Sequence, residues 1–192
     1  MVASINSSLS AQIFFEGAQE LLGPDRLEQI VGDIALSSPS LQAVREFLQT
    51  LESIYGVSGG RGLAFRIGQT AFKYALRDSG QKIGLRDKEF HFLPYQRRLE
   101  TGLQILAVEI GRDWGHLITV TNSPTCWIVQ VEERHAHCGC EPKEPCCQAL
   151  AGLLHAYMAW AGGGRYYRII ETECQASGNQ TCSFQIEKKP LD

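Results

Sequence analysis

The sequence lacks an excess of charge of either sign. Its 192 residues include 18 Lys and Arg against 21 Asp and Glu, which gives a formal net charge of −3 at pH 7. A nucleic-acid-binding domain needs a basic face or stripe, so we expect no nucleic-acid partner. The 44% share of apolar residues is ordinary for a globular chain and excludes global disorder.

The sequence also lacks a segment that would direct the chain to a membrane. Residues 1–9 have neither the basic start nor the apolar core of a signal peptide. Residues 145–164 carry no Asp, Glu, Lys or Arg over about the length of a bilayer span. They do contain Gln148, His155 and several glycines. We therefore expect a buried amphipathic helix there, no membrane span and a cytoplasmic location.

Common catalytic motifs are missing as well. There is no nucleophile elbow and no His-Glu-x-x-His motif, and the glycine-rich residues 56–62 lack the patterns of dinucleotide and phosphate loops. We interpret residues 58–62 as a connection between two helices. Arg61 within it and Arg66 after it are candidates for binding an anion. No residue is assigned a catalytic role.

The apolar periodicity changes along the chain. Helical spacing recurs through residues 8–110, with helices predicted over 25–36 and 63–78 among others. Strand-like runs follow at 117–121, 127–131, 166–171 and 181–186, and an apolar helix is predicted at about 146–161. This order predicts an α+β fold: a helical N-terminal half packed on an antiparallel sheet of two hairpins with an intervening helix. We divide the chain into a helical extension, residues 1–39, and a domain, residues 40–192.

Cysteine is the residue type that stands out. Seven cysteines in a chain without an export signal predict metal or redox chemistry rather than a disulfide framework. Cys174 and Cys182 flank the turn of the second predicted hairpin, while Cys146 and Cys147 begin the preceding helix. Two hairpin thiolates, one thiolate from the helix start and one carboxylate would form a four-ligand zinc site.

Spacing alone does not decide which glutamate supplies the carboxylate of that site. Glu171 and Glu173 both precede Cys174 closely. Residues three apart in a regular strand point to opposite faces, so Glu171 and Cys174 share a metal only if the strand bulges between them. The alternative is that Cys174 and Cys182 are small buried apolar residues.

A second cysteine group lies in a polar loop. Cys138, Cys140 and Cys146 are candidates for a second metal or for a redox-switchable disulfide. The alternative is a solvated loop with incidental thiols. Cys126, at the start of a predicted strand, is expected to contribute packing.

The C-terminal motifs resemble those of the 4-vinyl reductase domain family, which is similar in fold to the ligand-binding domain of transport-particle and nitric-oxide-signalling proteins. The resemblance covers roughly residues 40–188. The C-terminal positions that carry it are Cys147, Ala151, Gly152, Glu171-Thr172-Glu173-Cys174, Gly178 and Cys182-Ser183-Phe184-Gln185-Ile186. The segment from Tyr55-Gly56 through Gly59-Gly60-Arg61-Gly62 to Arg66-x-Gly68 also resembles the family's central helix connection.

The resemblance implies helices around an antiparallel sheet and a hydrophobic pocket for a small organic ligand. In the aromatic-sensing members of the family, three cysteines and one glutamate hold a zinc beside the pocket. Carried onto this chain, these ligands are Cys147, Glu171, Cys174 and Cys182. Such a zinc is structural, since four protein ligands leave no open position. Residues 40–192 are then a 4-vinyl reductase-like small-molecule-binding domain.

We expect a zinc-containing binding domain for a small hydrophobic ligand, which acts as a sensor, carrier or assembly factor. The apolar faces of the helical half favour a homodimer. One alternative is an enzyme or accessory protein of chlorophyllide vinyl reduction, although no flavin or nicotinamide motif is visible. Another is a thiol redox sensor. The residues expected to line the pocket are Trp127, Leu154, Tyr157, Met158, Trp160 and Phe184.

Overall fold

The computed structural model describes residues 11–32, 36, 39–132 and 146–191. Six helices are present in these ranges: α1 (Ala11–Leu22), α2 (Pro24–Val31), α3 (Leu41–Ser79), α4 (Lys88–Phe92), α5 (Tyr95–Trp114) and α6 (Gln148–Ala161). The strands are β1 (Leu117–Asn122), β2 (Cys126–Glu132), β3 (Tyr167–Glu173) and β4 (Cys182–Pro190).

The four strands form one antiparallel sheet in the order β1-β2-β4-β3. Each hairpin joins neighbours in sequence, and the two hairpins meet where β2 pairs with β4, with Val129 opposite Phe184. Helix α6 connects the hairpins and packs on α3 and β3. The predicted α+β class, with a helical N-terminal half on a sheet of two hairpins, is therefore confirmed.

The glycine-rich segment differs from its prediction. Residues 58–62 belong to helix α3 rather than to a connection, and the helix breaks at a single residue, Gly56, with φ 72° and ψ 164°. At Gly60 an added Cβ would lie 2.5 Å from the backbone nitrogen of Glu52. Glycine is needed here because the two arms of α3, residues 41–55 and 57–79, fold back with their backbones in contact.

Two other helices also differ from prediction, one in its end and one in its presence. Helix α2 ends at Val31 rather than at residue 36, because Gly32 adopts φ 77°, a left-handed conformation. The short helix α4 was not predicted, since a single turn carries too little periodic signal.

The core joins the two predicted parts of the chain. Phe14, Phe15 and Ala18 of α1 are buried in the same cluster as Phe47 of α3 and Leu150 of α6. The boundary between residues 39 and 40 stays a prediction. In the ranges given above, no helix has the length and hydrophobicity that crossing a bilayer requires.

Candidate metal and ligand site

Four side chains converge near the C-terminal hairpin. One ligand atom from each of Cys147, Glu171, Cys174 and Cys182 lies within 4.8 Å of the other three. We call these four residues the Cys/Glu cluster. They are the same four residues that the family resemblance implies as zinc ligands.

Four parts of the fold supply the Cys/Glu cluster. Cys147 is the N-cap of α6, Glu171 lies in β3, Cys174 precedes a short 3-10 helix, Gln175–Ser177, and Cys182 is the first residue of β4. The pairing of β3 with β4 shifts register between Glu171 and Glu173. This irregularity is the departure from regular strand geometry that Glu171 and Cys174 need in order to face one point.

The sulfur atoms are spaced as a tetrahedral metal site requires. Cys147 Sγ lies 3.5 Å from Cys182 Sγ, and Cys182 Sγ lies 4.0 Å from Cys174 Sγ. With Zn–S bonds of about 2.3 Å, two thiolates at a tetrahedral angle are about 3.8 Å apart. The two measured separations lie on either side of that value.

Backbone hydrogen bonds hold the Cys/Glu cluster in place. The Cys147 N–H donates to Glu171 Oε2 at 3.0 Å, and the Gln175 N–H donates to Cys182 Sγ at 3.4 Å. The second carboxylate oxygen, Glu171 Oε1, is buried and has no hydrogen-bond partner among the described residues. A buried acceptor without a partner costs free energy, so this oxygen is suited to a cation.

The electrostatics of the metal-free cluster place a proton on the carboxyl group. Burial, reinforced by a hydrogen bond with Cys174, raises the pKa of Glu171 to about 8. A hydrogen bond from the Cys147 thiol is the main cause that lowers the pKa of Cys174 to about 5. The Cys174 thiol is therefore ready to bind a metal as a thiolate, while Glu171 must lose a proton first.

Cys146 lies beside the Cys/Glu cluster but differs chemically from Cys147. Its Sγ is 3.9 Å from Cys174 Sγ, yet Cys146 is disulfide-bonded whereas Cys147 is a free thiol. Cys138 and Cys140, the other members of the predicted loop group, lie outside the described residues. The redox or second-metal role of the three stays a prediction.

A cavity of about 770 Å³ adjoins the Cys/Glu cluster. It lies between the first arm of α3, the end of α5, the sheet and the start of α6, and Cys147 and Cys182 form part of its wall. Its deep end is apolar and includes Phe14, Ile110 and Val131, all nearly inaccessible to solvent. The volume is in the range of small-molecule sites.

The wall of the cavity formed by α3 is polar. Arg45, Gln49, Glu52 and Ser53 line it from the first arm, and Arg61 lines it from the second. Arg61 Nε lies 3.3 Å from Glu52 Oε1, with the two side chains 17% and 24% exposed. The cavity therefore combines an apolar interior with a charged wall near its opening.

The predicted pocket residues lie elsewhere. None of Trp127, Leu154, Tyr157, Met158, Trp160 and Phe184 lines this cavity. The Tyr157 hydroxyl donates to the Leu99 carbonyl oxygen at 2.8 Å, and Trp160 stacks on Phe90 with ring centroids 5.8 Å apart. Helix α6 directs these side chains toward α3, α4 and α5, and only its first turn faces the cavity.

The residues that sequence reasoning missed are those of the first arm of α3, whereas Arg61 of the second arm was named as a candidate for binding an anion. Arg45, Gln49 and Glu52 recur at helical spacing beside the apolar stripe that includes Val44 and Leu48. Polar residues at the edge of an apolar stripe are usual on solvated helices. This signal exists in the sequence, but it does not distinguish a cavity wall from a surface.

Comparisons of the sequence with known proteins give no family assignment. The sequence matches no protein-family model and no curated protein. The resemblance to the 4-vinyl reductase family therefore rests on the motif residues alone.

Solved structures of similar fold were found. An H-NOX protein from S. oneidensis in the Fe(II)NO ligation state has a TM-score of 0.63 at 10% identity, over 94% of this chain and 99% of that one. An H-NOX structure concerned with heme distortion has a TM-score of 0.58 at 10% identity, over 98% and 97%. The phenol-responsive sensory domain of the transcription activator PoxR, with phenol, has a TM-score of 0.53 at 19% identity, over 76% and 72%. The chain has the fold that these domains share.

Proposed function

We propose that this chain is a zinc-containing domain that binds a small, largely apolar molecule and acts as a sensor. The proposal rests on one observation: Cys147 and Cys182 belong to the Cys/Glu cluster and also form part of the cavity wall. A ligand in the cavity would contact the residues that hold the metal. The solved domains of similar fold include one described as phenol-responsive, which is in line with this role.

Zinc fits the Cys/Glu cluster on three grounds. Three sulfurs and one carboxylate oxygen are a donor set that zinc accepts. The sulfur separations of 3.5 and 4.0 Å suit tetrahedral coordination, and Glu171 Oε1 is buried without a described partner. When bound, the metal would join the start of α6 to the last hairpin and so fix one side of the cavity.

Haem, which one of the similar H-NOX structures concerns, does not fit the Cys/Glu cluster. A haem iron takes four porphyrin nitrogens and at most two axial protein ligands. Four protein ligand atoms within 4.8 Å of one another leave no plane for a porphyrin. Of the described residues that line the cavity, His116 alone offers an imidazole, and its ring packs edge-on against Trp114 with centroids 6.2 Å apart.

Helix α6 links the cavity to the rest of the domain. Ala149 and Leu150 of α6, two and three residues after Cys147, line the cavity. The same helix packs closely on the second arm of α3, where Gly152 lies against Phe65 and Gly68 against Ala149. A ligand that favours one position of the α6 start would therefore shift the balance between two arrangements of α6 and α3. In the predicted homodimer, a second copy of the chain would respond to this change in the arrangement of α6 and α3.

Ligand binding should change the fluorescence of Trp114 specifically. Trp114 lines the cavity, whereas Trp127 and Trp160 do not. Titration with toluene, a small apolar probe, is expected to alter the emission of the protein in a saturable way. The change should disappear in Trp114→Phe and persist in Trp160→Phe, which keeps the cavity wall intact.

Two results would contradict this. If toluene caused no saturable change, or if Trp160→Phe abolished the change while Trp114→Phe kept it, the cavity would not be the binding site. Zinc content measured on the same samples shows whether each variant retains the Cys/Glu cluster.

Zinc affinity should fall on acidification. Without metal, the Glu171–Cys174 pair holds one proton between its pKa values of about 5 and about 8, and two below that range. Zinc must displace these protons, so the pair alone should weaken binding by about tenfold for each pH unit lowered within the range. Competition with a chromogenic chelator at a series of pH values measures this.

The matched control for the pH series is Glu173→Gln. The Glu173 carboxylate accepts a hydrogen bond from Ser183 Oγ at 3.1 Å and lies outside the Cys/Glu cluster. The variant should keep the full pH dependence. An affinity that stays constant across the range in the unmodified protein would show that Glu171 and Cys174 do not bind the ion.

A further inference from the structure

We propose that the ligand of this cavity is a long-chain amphiphile, with one apolar carbon chain of about 14 atoms that lies along the first arm of α3. Its polar end would lie at the turn of α3 around Gly56. The inference rests on the proposed function, since it concerns the same cavity. It adds the length of the ligand and its direction in the cavity.

The first observation is the extent of the cavity along the first arm of α3. Leu41, Val44, Leu48 and Glu52 all line it. These residues are three or four positions apart, so they lie on one face of the helix. Since an α-helix rises about 1.5 Å per residue, the face that they form is about 16 Å long. The cavity is therefore elongated along the helix.

The second observation is that the two ends of the cavity lie far apart. One end is the turn of α3 at Gly56, from which Val57 of the second arm also lines the cavity. The other end is the start of α6, where Ala149 lies against Gly68 of the second arm. At 1.5 Å per residue, Gly68 is about 18 Å beyond the turn. A ligand that reaches both the turn and the start of α6 must be about that long.

The third observation is the volume of the cavity. A closed apolar cavity of about 150 Å³ is enough to hold benzene. The cavity of this chain, about 770 Å³, has about five times that volume. A ligand with a single ring would therefore leave most of the apolar wall in contact with water. Because burial of apolar surface is favourable in proportion to its area, a ligand that extends along the whole face should bind more tightly.

The length of the face sets the length of the ligand. A carbon chain advances about as much per bond as an extended peptide does, which is about 1.2 Å. About 14 chain atoms then cover the face of about 16 Å on the first arm of α3. A single carbon chain can also follow the curved surface of a helix, since each of its bonds can rotate.

The fourth observation gives the direction of the ligand. Phe14 and Val44 are 1% and 5% exposed, whereas Gln49, Ser53 and Ser58, at or near the turn of α3, are exposed. All five line the cavity. The amide and hydroxyl groups near the turn can exchange hydrogen bonds with a polar group of the ligand. Burial of that group at the apolar end would cost free energy, so the polar end lies at the turn and the carbon chain points inward.

The test is a series of primary alcohols that share one polar group: hexanol, decanol, tetradecanol and octadecanol. Each is delivered to the full, zinc-loaded protein from methyl-β-cyclodextrin, and its free concentration is measured. Trp114 emission reports binding, since Trp114 lines the cavity. Affinity should rise about threefold to fourfold for each added carbon as far as tetradecanol, and octadecanol should bind no more tightly than tetradecanol. A rise that ends at or before decanol would overturn the inference, as would a rise that continues at the same rate to octadecanol.

A pair of matched variants locates the carbon chain. Val44→Phe fills part of the apolar end, so it should reduce the affinity for tetradecanol about tenfold relative to that for hexanol, because about two carbons lose their place. Val108→Phe is the matched control, since Val108 is 66% exposed on α5 and does not line the cavity. It should keep the full dependence on length. An unchanged dependence in Val44→Phe, or an equal change in Val108→Phe, would overturn the inference.

The two proposals fail in different ways. If toluene binds and the affinity of the alcohols does not rise beyond hexanol, the inference is wrong and the apolar binding site stands. If neither toluene nor any alcohol binds to the zinc-loaded protein, both are wrong. The alcohol series needs no substitution, so its result does not depend on any variant folding.

Discussion

Cys174→Ser and Cys182→Ser should each remove the zinc and destabilise the domain by several kcal/mol. Cys174 and Cys182 are 0% and 2% exposed, and each substitution would leave three ligands around a buried ion. Structural zinc contributes about 10–16 kcal/mol of apparent binding free energy in small zinc domains. Because this chain also has its own core, we expect a loss of about 3–5 kcal/mol, or a fall in Tm of about 10 °C. Elemental analysis and thermal unfolding measure the two effects.

Two cysteines outside the Cys/Glu cluster provide controls. Cys126 is a buried free thiol whose Sγ lies 3.0 Å from Ser123 Oγ, and Cys126→Ser should keep about one zinc per chain. Cys146→Ser should also keep the zinc, which tests the choice of Cys147 over its neighbour. If Cys174→Ser and Cys182→Ser both retained the metal of the unmodified protein, the assignment of the site would be wrong.

Gly68→Ala and Gly152→Ala should destabilise the fold strongly and disturb the metal site with it. An added Cβ at Gly68 would clash with the Ala149 carbonyl oxygen, and one at Gly152 would clash with the Phe65 carbonyl oxygen. These are backbone atoms, so the clash is relieved only if α3 and α6 move apart. We expect each substitution to cost about 3 kcal/mol, at the upper end of overpacking effects. Denaturant unfolding measures the change.

The position of α6 also places Cys147, so the glycine variants should bind zinc more weakly. Gly62→Ala is the matched control, because nothing lies within 4 Å of an added Cβ on this residue of the same helix. It should stabilise the protein by about 0.5–1 kcal/mol through the higher helix propensity of Ala. If Gly152→Ala were as stable as Gly62→Ala, the close packing of the two helices would be wrong.

The fold was predictable where local patterns decide the structure. The β-branched runs on either side of two turns predict two strand pairs, 117–121 with 127–131 and 166–171 with 181–186. The sheet contains both hairpins. The connection at residues 58–62 was predicted wrongly because glycines there permit close helix contact rather than a loop. Gly60 against Glu52 is a tertiary contact, and no local pattern reveals it.

The Cys/Glu cluster was predictable and the cavity was not. The metal-binding chemistry of a cysteine or glutamate is evident from its residue type, so a motif was enough to group Cys147, Glu171, Cys174 and Cys182. The structure brings the four together. A cavity is the space that several elements leave between them. Its α3 wall, with Arg45 and Arg61, depends on how the two arms of that helix meet. Apolar side chains of α6 were the natural candidates, but they fill the core.

X-ray absorption spectroscopy at the zinc edge tests the central claim most directly. On the purified chain it should show three Zn–S distances of about 2.3 Å and one Zn–O distance of about 2.0–2.2 Å, from Cys147, Cys174, Cys182 and Glu171. The Glu171→Gln variant should lose or lengthen the oxygen contact, while Glu173→Gln should leave the spectrum unchanged. A zinc shell of four sulfurs, a shell of nitrogens, or a protein that carries haem iron and no zinc would contradict the account.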